Sequence, residues 1–197
     1  MISWYKAMNL PNKLTLSRIL LTFLFIFFIL QKGLIALILA TLVFFVAALT
    51  DYYDGYFAKK HNMISDFGKL MDPIADKFLI LVAFFIFVHM HIIPLWMFLV
   101  ILGREVLVTG LRIYAISKGK VIAAERAGKY KTVSQTVVIA VILLFLILNQ
   151  FNLSAHWAHI GIVQRKIIYI LLITTIALTL TSGLSYVWNK RELIYVK

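Results

Sequence analysis

The sequence predicts an all-α integral membrane protein with six transmembrane helices and a short interfacial helix at the amino terminus. Apolar residues make up 62% of the 197 residues and charged residues 14%, and the mean hydropathy is +0.94. Soluble domains are only about half apolar and about a quarter charged. Several uncharged apolar runs also approach the ~20 residues that a helix needs to cross a bilayer. Such runs predict helices and not barrel strands.

Polar residues, glycine or proline separate the apolar runs into six spans. The predicted spans are residues 14–31, 34–57, 71–91, 92–117, 132–150 and 163–188. The breaks fall at residues 31–33, 89–94, 117–131 and 149–163, and in the acidic stretch between spans two and three. The first span has no small-residue cleavage site after it, so we expect it to be retained. Residues 1–11 predict an interfacial segment, in which Ile2, Trp4, Tyr5 and Met8 would lie along the interface with Lys6 toward the headgroups.

Residues 1–197 are therefore predicted to form a single membrane domain, and the distribution of positive charge predicts its orientation. Six spans place both termini and the loops after spans two and four on one side. Of the 20 Lys and Arg residues, only Lys32, Arg165 and Lys166 fall on the opposite side. By the positive-inside rule the lysine-rich side is cytoplasmic, so we expect the cell membrane as the location. The net charge of +12 is explained by this topology and by anionic lipids, and no motif indicates nucleic-acid binding.

Five of the 8 acidic residues lie in one short stretch, residues 51–77, with the sequence DYYDGYFAKKHNMISDFGKLMDPIADK. If span two stays helical to about residue 58, then Asp51, Asp54, Gly55 and Ala58 have spacings of three, four and seven. Residues at these spacings share one face of a helix. Two carboxylates and two small residues are thus predicted on one face near the cytoplasmic end of span two.

Across the loop, Gly68, Asp72 and Asp76 are spaced by four and also form a single row if this segment is helical. Two positions for the start of this helix are open. Ser65 is a suitable helix cap, in which case the helix runs through Pro73 and is kinked there. Alternatively the helix starts at Asp72, with Pro73 as its first helical residue. Both alternatives leave Asp72 and Asp76 on roughly one side.

An antiparallel pair of these helices would bring four carboxylates together at similar depth. Four such groups repel one another and take up protons unless cations bind among them. Because the ligands are carboxylate oxygens and the chain has no cysteine, we expect a hard divalent cation, Mg²⁺ or Mn²⁺, with two ions bound. The alternative is that the acids pair with neighbouring lysines in a solvated loop, which would not require the helical spacing or the glycines.

The two halves of this pattern, Asp51-x-x-Asp54-Gly55-x-x-Ala58 and Gly68-x-x-x-Asp72-x-x-x-Asp76, resemble the signature of the CDP-alcohol phosphotransferase family. The family usually has Arg after the alanine, where this chain has Lys59, which keeps the charge but loses a bidentate phosphate contact. Residues 9–18, 103–112 and 128–135 also look like the phosphatidylglycerophosphate synthase branch of that family.

The resemblance implies a six-helix membrane enzyme, commonly a homodimer. Its partners would be the bilayer, CDP-diacylglycerol and sn-glycerol 3-phosphate, and its products phosphatidylglycerophosphate and CMP. The metal ligands implied are Asp51, Asp54, Asp72 and Asp76, with Asp76 also the general base. The CDP-diacylglycerol contacts implied are Asn12, Thr15, Asp54, Gly55, Ala58, Lys59, Ser65 and Gly68.

Cations in and beside spans four and five are candidates for binding the acceptor phosphate. They are Arg104, Arg112, Arg126, Lys129 and Lys131. Unpaired cations inside a membrane are expensive, and Glu105 lies seven residues before Arg112, so an internal ion pair is one alternative. Lys129 and Lys131 would in another alternative anchor span five in the headgroups. The resemblance includes these positions and favours a pocket for the phosphate of glycerol 3-phosphate.

Two other functions fit parts of the pattern. One is a sibling transferase with another acceptor, such as inositol phosphate. The other is a divalent-cation transporter in which the four acids form the transport site. The acids lie near one interface and not at the midplane expected for alternating access, which disfavours the transporter.

Overall fold

The computed structural model describes residues 10–61, 66–117, 126–150 and 157–189, with the side chains of residues 16–50, 77–111, 113, 130–150, 161–186 and 188. The described residues form six α-helices and no strand. The helices are α1 (Leu10–Leu30), α2 (Leu34–His61), α3 (Asp66–His89), α4 (Leu95–Ser117), α5 (Arg126–Gln150) and α6 (Trp157–Asn189). The prediction of an all-α fold is confirmed for this part of the chain.

Several helices extend beyond the predicted spans. Helix α2 continues to His61, α3 begins at Asp66 and not at residue 71, and α5 begins at Arg126 and not at residue 132. Hydropathy marks only the part of a helix that lipid surrounds. Backbone hydrogen bonding of a helix continues through polar residues as well. The predicted spans were therefore shorter than the helices at these ends.

The exposed faces of the described helices are apolar and their buried faces include polar side chains. Large apolar residues that are more than half exposed include Leu20, Ile35, Val106, Val133 and Leu184. Buried polar residues include Thr22, Glu105, Lys131, Gln135 and Thr179. A helix at the surface of a soluble protein has the opposite arrangement, with a polar exposed face. Apolar outer faces with polar groups between helices are typical of helices surrounded by lipid.

Two stretches within the described helices are long and apolar enough to cross a bilayer, Tyr130–Gln150 and Gly161–Tyr186. Three shorter apolar stretches are Leu16–Leu30, Leu34–Thr50 and Lys77–His89. Together with the apolar outer faces, these stretches indicate a membrane protein. The number of spans stays a prediction, as does the single domain over residues 1–197.

The helices form two compact units, the first of which contains α1, α2 and most of α3. Residues 31–33 join α1 to α2, and Gly33 has a φ of 109°, a conformation that glycine adopts at little cost. The rings of Phe25 in α1 and Phe44 in α2 are buried and lie 5.8 Å apart between centroids. This packing holds α2 against α1 on the amino-terminal side of the segment that carries Asp51.

The second unit contains the end of α3, α4, most of α5 and α6. Helix α4 packs against α6. Every third or fourth residue of α4 is buried along one face, namely Met97, Ile101, Glu105 and Val108. The corresponding face of α6 consists of Ile168, Leu172, Thr175, Thr179, Ser182 and Tyr186. The buried face of α6 becomes polar toward its carboxyl end, where the charged residues of α4 are found.

Candidate active site

Helix α2 is continuous through the first half of the acidic pattern. Because its backbone is helical to His61, positions 51, 54, 55 and 58 lie on one side of it, as predicted. Helix α3 begins at Asp66, so the alternative in which the helix runs through Pro73 is correct and the start at Asp72 is wrong. The two halves of the pattern therefore lie on two helices.

The side chains that would bind metal and CDP-diacylglycerol lie outside the described side chains. This applies to Asn12, Thr15, Asp51, Asp54, Ala58, Lys59, Asp72 and Asp76, while Ser65 lies outside the described residues altogether. Gly55 lies in α2 and Gly68 in α3. The metal site, with its Mg²⁺ or Mn²⁺ ions, and the nucleotide contacts stay predictions.

The structure brings two of the predicted acceptor cations together on one carboxylate. The Lys131 Nζ of α5 forms an ion pair with Glu105 Oε1 of α4. The Arg104 Nη1 lies 3.4 Å from the same oxygen. The side chains of Lys131 and Glu105 are each 4% exposed and that of Arg104 is 11% exposed. We name these three residues, with Ser182 of α6, the charged cluster.

Helix periodicity explains why these charges lie inside the second unit. Glu105 is four residues after Ile101 and three before Val108, so it lies on the buried face of α4. Lys131 lies four residues before the buried Gln135 and seven before the buried Val138, so it lies on the buried face of α5. An isolated charge in an apolar interior is very costly, whereas a close ion pair offsets most of that cost. Burial of Lys131 therefore depends on Glu105.

These contacts bear on the alternatives for the acceptor cations. Lys131 is not a headgroup anchor, because its side chain is buried and its ammonium is paired with Glu105. Glu105 does form ion pairs inside the second unit, as one alternative expected. Its partners among the described side chains are Lys131 and Arg104. The side chain of Arg112, the partner considered from sequence spacing, lies outside the described side chains, as do those of Arg126 and Lys129.

Three buried polar residues were given no role from the sequence, although two of them, Arg18 and Gln135, end segments that resemble the synthase branch. Gln135 lies one turn after Lys131 and is 2% exposed, and its amide nitrogen has no hydrogen-bond partner among the described residues. Arg18 is buried on the same row of α1 as Thr22 and Phe25, although charge counting placed it with the cytoplasmic cations. Ser182 had no sequence signal beyond its being a small polar residue in an apolar span.

The charged cluster holds two cations and one carboxylate, so its formal net charge is positive. Two cations are held at one point by a shared carboxylate, which offsets their mutual repulsion. A guanidinium carries five N–H donors in a fixed plane, so protein contacts can orient it while it binds a phosphate. Burial strengthens such charge-assisted hydrogen bonds relative to those at an exposed surface.

Comparison with known proteins gives a consistent result. A family model described as CDP-alcohol phosphatidyltransferase matches residues 8–181. A protein of Bacillus subtilis (strain 168) is 39% identical over 148 residues, covering 69% of this chain and 77% of the relative. A protein of Rickettsia felis is 36% identical over 136 residues, covering 69% and 75% respectively.

A third relative, from Blochmanniella floridana, aligns over almost the whole chain. It is 32% identical over 199 residues, covering 98% of this chain and 97% of the relative. All three relatives are named CDP-diacylglycerol--glycerol-3-phosphate 3-phosphatidyltransferase. The match of the family model includes both halves of the aspartate pattern and the cations Arg104 and Lys131. The chain therefore belongs to the CDP-alcohol phosphatidyltransferase family.

Proposed function

We propose that the protein transfers the phosphatidyl group of CDP-diacylglycerol to sn-glycerol 3-phosphate, forming phosphatidylglycerophosphate and CMP. The observation that carries this proposal is the Blochmanniella floridana relative, which bears the name of this activity and aligns over 98% of the chain. In the reaction, the acceptor hydroxyl oxygen attacks the β-phosphorus of CDP-diacylglycerol. The bond from that phosphorus to the bridging oxygen breaks, and CMP leaves with this oxygen.

The aspartates of α2 and α3 supply a donor set that fits a divalent metal. Asp51, Asp54, Asp72 and Asp76 would hold Mg²⁺ or Mn²⁺, since these hard cations prefer carboxylate oxygens. The bound metal would offset the negative charge of the pyrophosphate and stabilise the departing CMP. The helical backbone at both halves of the pattern supports the predicted grouping of the four positions on two helices.

Asp76 is proposed as the group that takes the proton from the acceptor hydroxyl as it attacks. The nucleotide part of CDP-diacylglycerol would contact residues near the aspartates. These residues are Asn12, Thr15, Gly55, Ala58, Lys59, Ser65 and Gly68. The small residues would leave room for the nucleotide, and Lys59 would contact its phosphates.

The charged cluster is proposed as the site for the phosphate of glycerol 3-phosphate. Arg104 and Lys131 already meet at Glu105 Oε1, so the phosphate would bind to cations that are in place before it arrives. Preorganised cations lose less side-chain entropy on binding than mobile surface cations do. Arg112, Arg126 and Lys129 are further cations that the family resemblance assigns to this site.

Six transmembrane spans, a cytoplasmic active site and cytoplasmic termini are also proposed for the protein in the cell membrane. The distribution of Lys and Arg residues supports this orientation. Association as a homodimer is implied by the family resemblance, and native mass spectrometry of the detergent-solubilised protein would test it.

The orientation predicts which loops an external reagent can reach. Because the chain has no cysteine, a single cysteine can be introduced without background labelling. A membrane-impermeant maleimide added to intact cells is expected to label a cysteine within residues 152–160. It should label one within residues 61–64 only after the membrane is opened. Labelling of the second cysteine alone in intact cells would reverse the orientation.

A liposome assay separates the proposed enzyme from a cation transporter. Purified protein in liposomes containing CDP-diacylglycerol and Mg²⁺ is expected to release CMP when glycerol 3-phosphate is added. A metal-sensitive dye trapped inside the liposomes should show no protein-dependent uptake of Mn²⁺. Uptake of Mn²⁺ without release of CMP would support the transporter and contradict the transferase.

A further inference from the structure

Helix α6 contacts Arg104 through the hydroxyl of Ser182. The Arg104 Nη2 donates a hydrogen bond to Ser182 Oγ at 3.1 Å. The Ser182 hydroxyl in turn donates to the backbone carbonyl of Thr179 at 3.0 Å. Because this second bond fixes the direction of the hydroxyl hydrogen, a lone pair of Oγ is directed at the guanidinium. Ser182 therefore acts as an oriented acceptor for Arg104.

The backbone of α6 also restricts the aliphatic part of the same side chain. A Cβ atom built on Gly183 would lie 3.1 Å from Arg104 Cγ and 3.7 Å from its Nε. A carbon contact of 3.1 Å is closer than ordinary packing, so an alanine at 183 would require the Arg104 side chain to shift by a few tenths of an ångström. Gly103, Gly110 and Gly161 have nothing within 4 Å of the corresponding position. Among these described glycines, the close approach of a built Cβ to Arg104 is thus specific to Gly183.

Arg104 is consequently constrained at three points of its side chain. Gly183 lies against Cγ, Ser182 accepts from Nη2, and Glu105 accepts from Nη1. An arginine side chain has several rotatable bonds and would otherwise adopt many conformations. Contacts from two helices select one conformation, with the plane of the guanidinium fixed by its two terminal nitrogens.

We propose that Ser182 and Gly183 are positioning residues that hold the Arg104 guanidinium in the orientation that binds the acceptor phosphate. The proposal rests on the proposed function, in which Arg104 contacts that phosphate. Both residues lie directly after the segment that the family model matches, residues 8–181. The acceptor site would thus be built from α4, α5 and the carboxyl-terminal part of α6. Fixing the guanidinium plane matters because bidentate binding of a phosphate requires that plane to be aligned with two oxygens.

Steady-state kinetics of Ser182→Ala and Gly183→Ala tests the proposal. Each variant is expected to raise the KM for glycerol 3-phosphate about three- to tenfold, because Ser182→Ala removes a hydrogen bond to the charged guanidinium and Gly183→Ala shifts the Arg104 side chain. The KM for CDP-diacylglycerol should stay within about twofold of the original value.

Two matched changes in α6 serve as controls. Thr181→Val removes an exposed hydroxyl whose hydrogen bonds among the described residues are to its own helix, and Gly161→Ala adds a methyl group with no described atom within 4 Å.

A double-mutant cycle distinguishes positioning from a general structural effect. If Ser182 acts through Arg104, Ser182→Ala should change the acceptor KM by less than about twofold when Arg104 is already Gln. An equal change with and without Arg104 would overturn the proposal, as would a uniform loss in kcat and in both KM values. Should Gly183→Ala fail to fold, the Ser182 cycle alone decides.

Kinetics of Arg104→Gln distinguishes failure of the proposed acceptor site from failure of the positioning proposal. If Arg104→Gln leaves the acceptor KM unchanged, then Arg104 does not bind the phosphate, and the assignment of Arg104 and this proposal are both overturned. If Arg104→Gln raises the acceptor KM while Ser182→Ala and Gly183→Ala do not, only the positioning proposal is overturned. The positioning proposal is supported if the acceptor KM rises in all three variants and does not rise in Thr181→Val or Gly161→Ala.

Discussion

Asp76→Asn is expected to lower kcat by about 10²-fold or more, because the amide has nearly the shape of the carboxylate but cannot accept the proton of the acceptor hydroxyl. Additional loss is expected if the same change weakens metal binding. The rate of CMP release at saturating concentrations of both substrates, measured over a range of Mg²⁺ concentrations, checks this prediction. Substantial kcat in this variant would require a different base.

Asp51→Asn, Asp54→Asn and Asp72→Asn are expected to abolish turnover for a related reason. Each removes one negative charge from the donor set, so binding of the CDP-lipid should become weak or insensitive to Mg²⁺. Asp66→Asn is a matched control, since Asp66 lies in the same acidic stretch but outside the family pattern. Normal Mg²⁺ dependence and a near-normal rate in any of the first three variants would remove that residue from the metal site.

Lys131→Gln is expected to have two effects, one on stability and one on acceptor binding. The buried Glu105 carboxylate then loses its ion pair with the Lys131 ammonium. Breaking a buried pair in this way typically lowers the free energy of unfolding by about 3–5 kcal/mol. The contact from Arg104 will offset part of that cost. Loss of one charge-assisted contact to the phosphate, about 1.5–3 kcal/mol, should raise the acceptor KM at least about tenfold.

The double variant Lys131→Gln with Glu105→Gln separates these effects. It removes both charges of the pair, but Arg104 loses its contact with the Glu105 carboxylate, so thermal unfolding in detergent should show only part of the lost stability restored. The acceptor KM should stay high, because the ammonium is still missing. Lys166→Gln is the control for charge removal at an exposed lysine and should change neither quantity. If the double variant recovers both a normal acceptor KM and its thermal stability, then Lys131 has a structural role only.

The helices and the acidic pattern could be predicted from sequence because their signals are local. Apolar runs determine where helices cross lipid, and the spacing of Asp51, Asp54 and Asp72 needs only helical geometry to be interpreted. The position at which α3 begins was less certain, since Pro73 is compatible both with a first turn and with a kinked helix. Backbone hydrogen bonding from Asp66 onward resolves this ambiguity in favour of a longer helix.

The partners of the charged cluster could not be predicted, because they depend on how helices rotate against each other. A lysine at the start of an apolar span anchors to headgroups in some proteins and is buried in others, and Lys131 is buried because Glu105 faces it. Ser182 and Gly183 are unremarkable residues in sequence. Their relation to Arg104 comes entirely from the packing of α6 against α4.

Product analysis with a panel of acceptors tests whether glycerol 3-phosphate is the acceptor substrate. Purified protein in liposomes with CDP-diacylglycerol and Mg²⁺ would be given glycerol 3-phosphate, glycerol, inositol phosphate or inositol, one at a time. The lipid products would then be identified by mass spectrometry. We expect phosphatidylglycerophosphate with glycerol 3-phosphate and a much lower yield of lipid product with each other acceptor. A larger yield from inositol phosphate, with little phosphatidylglycerophosphate, would contradict it.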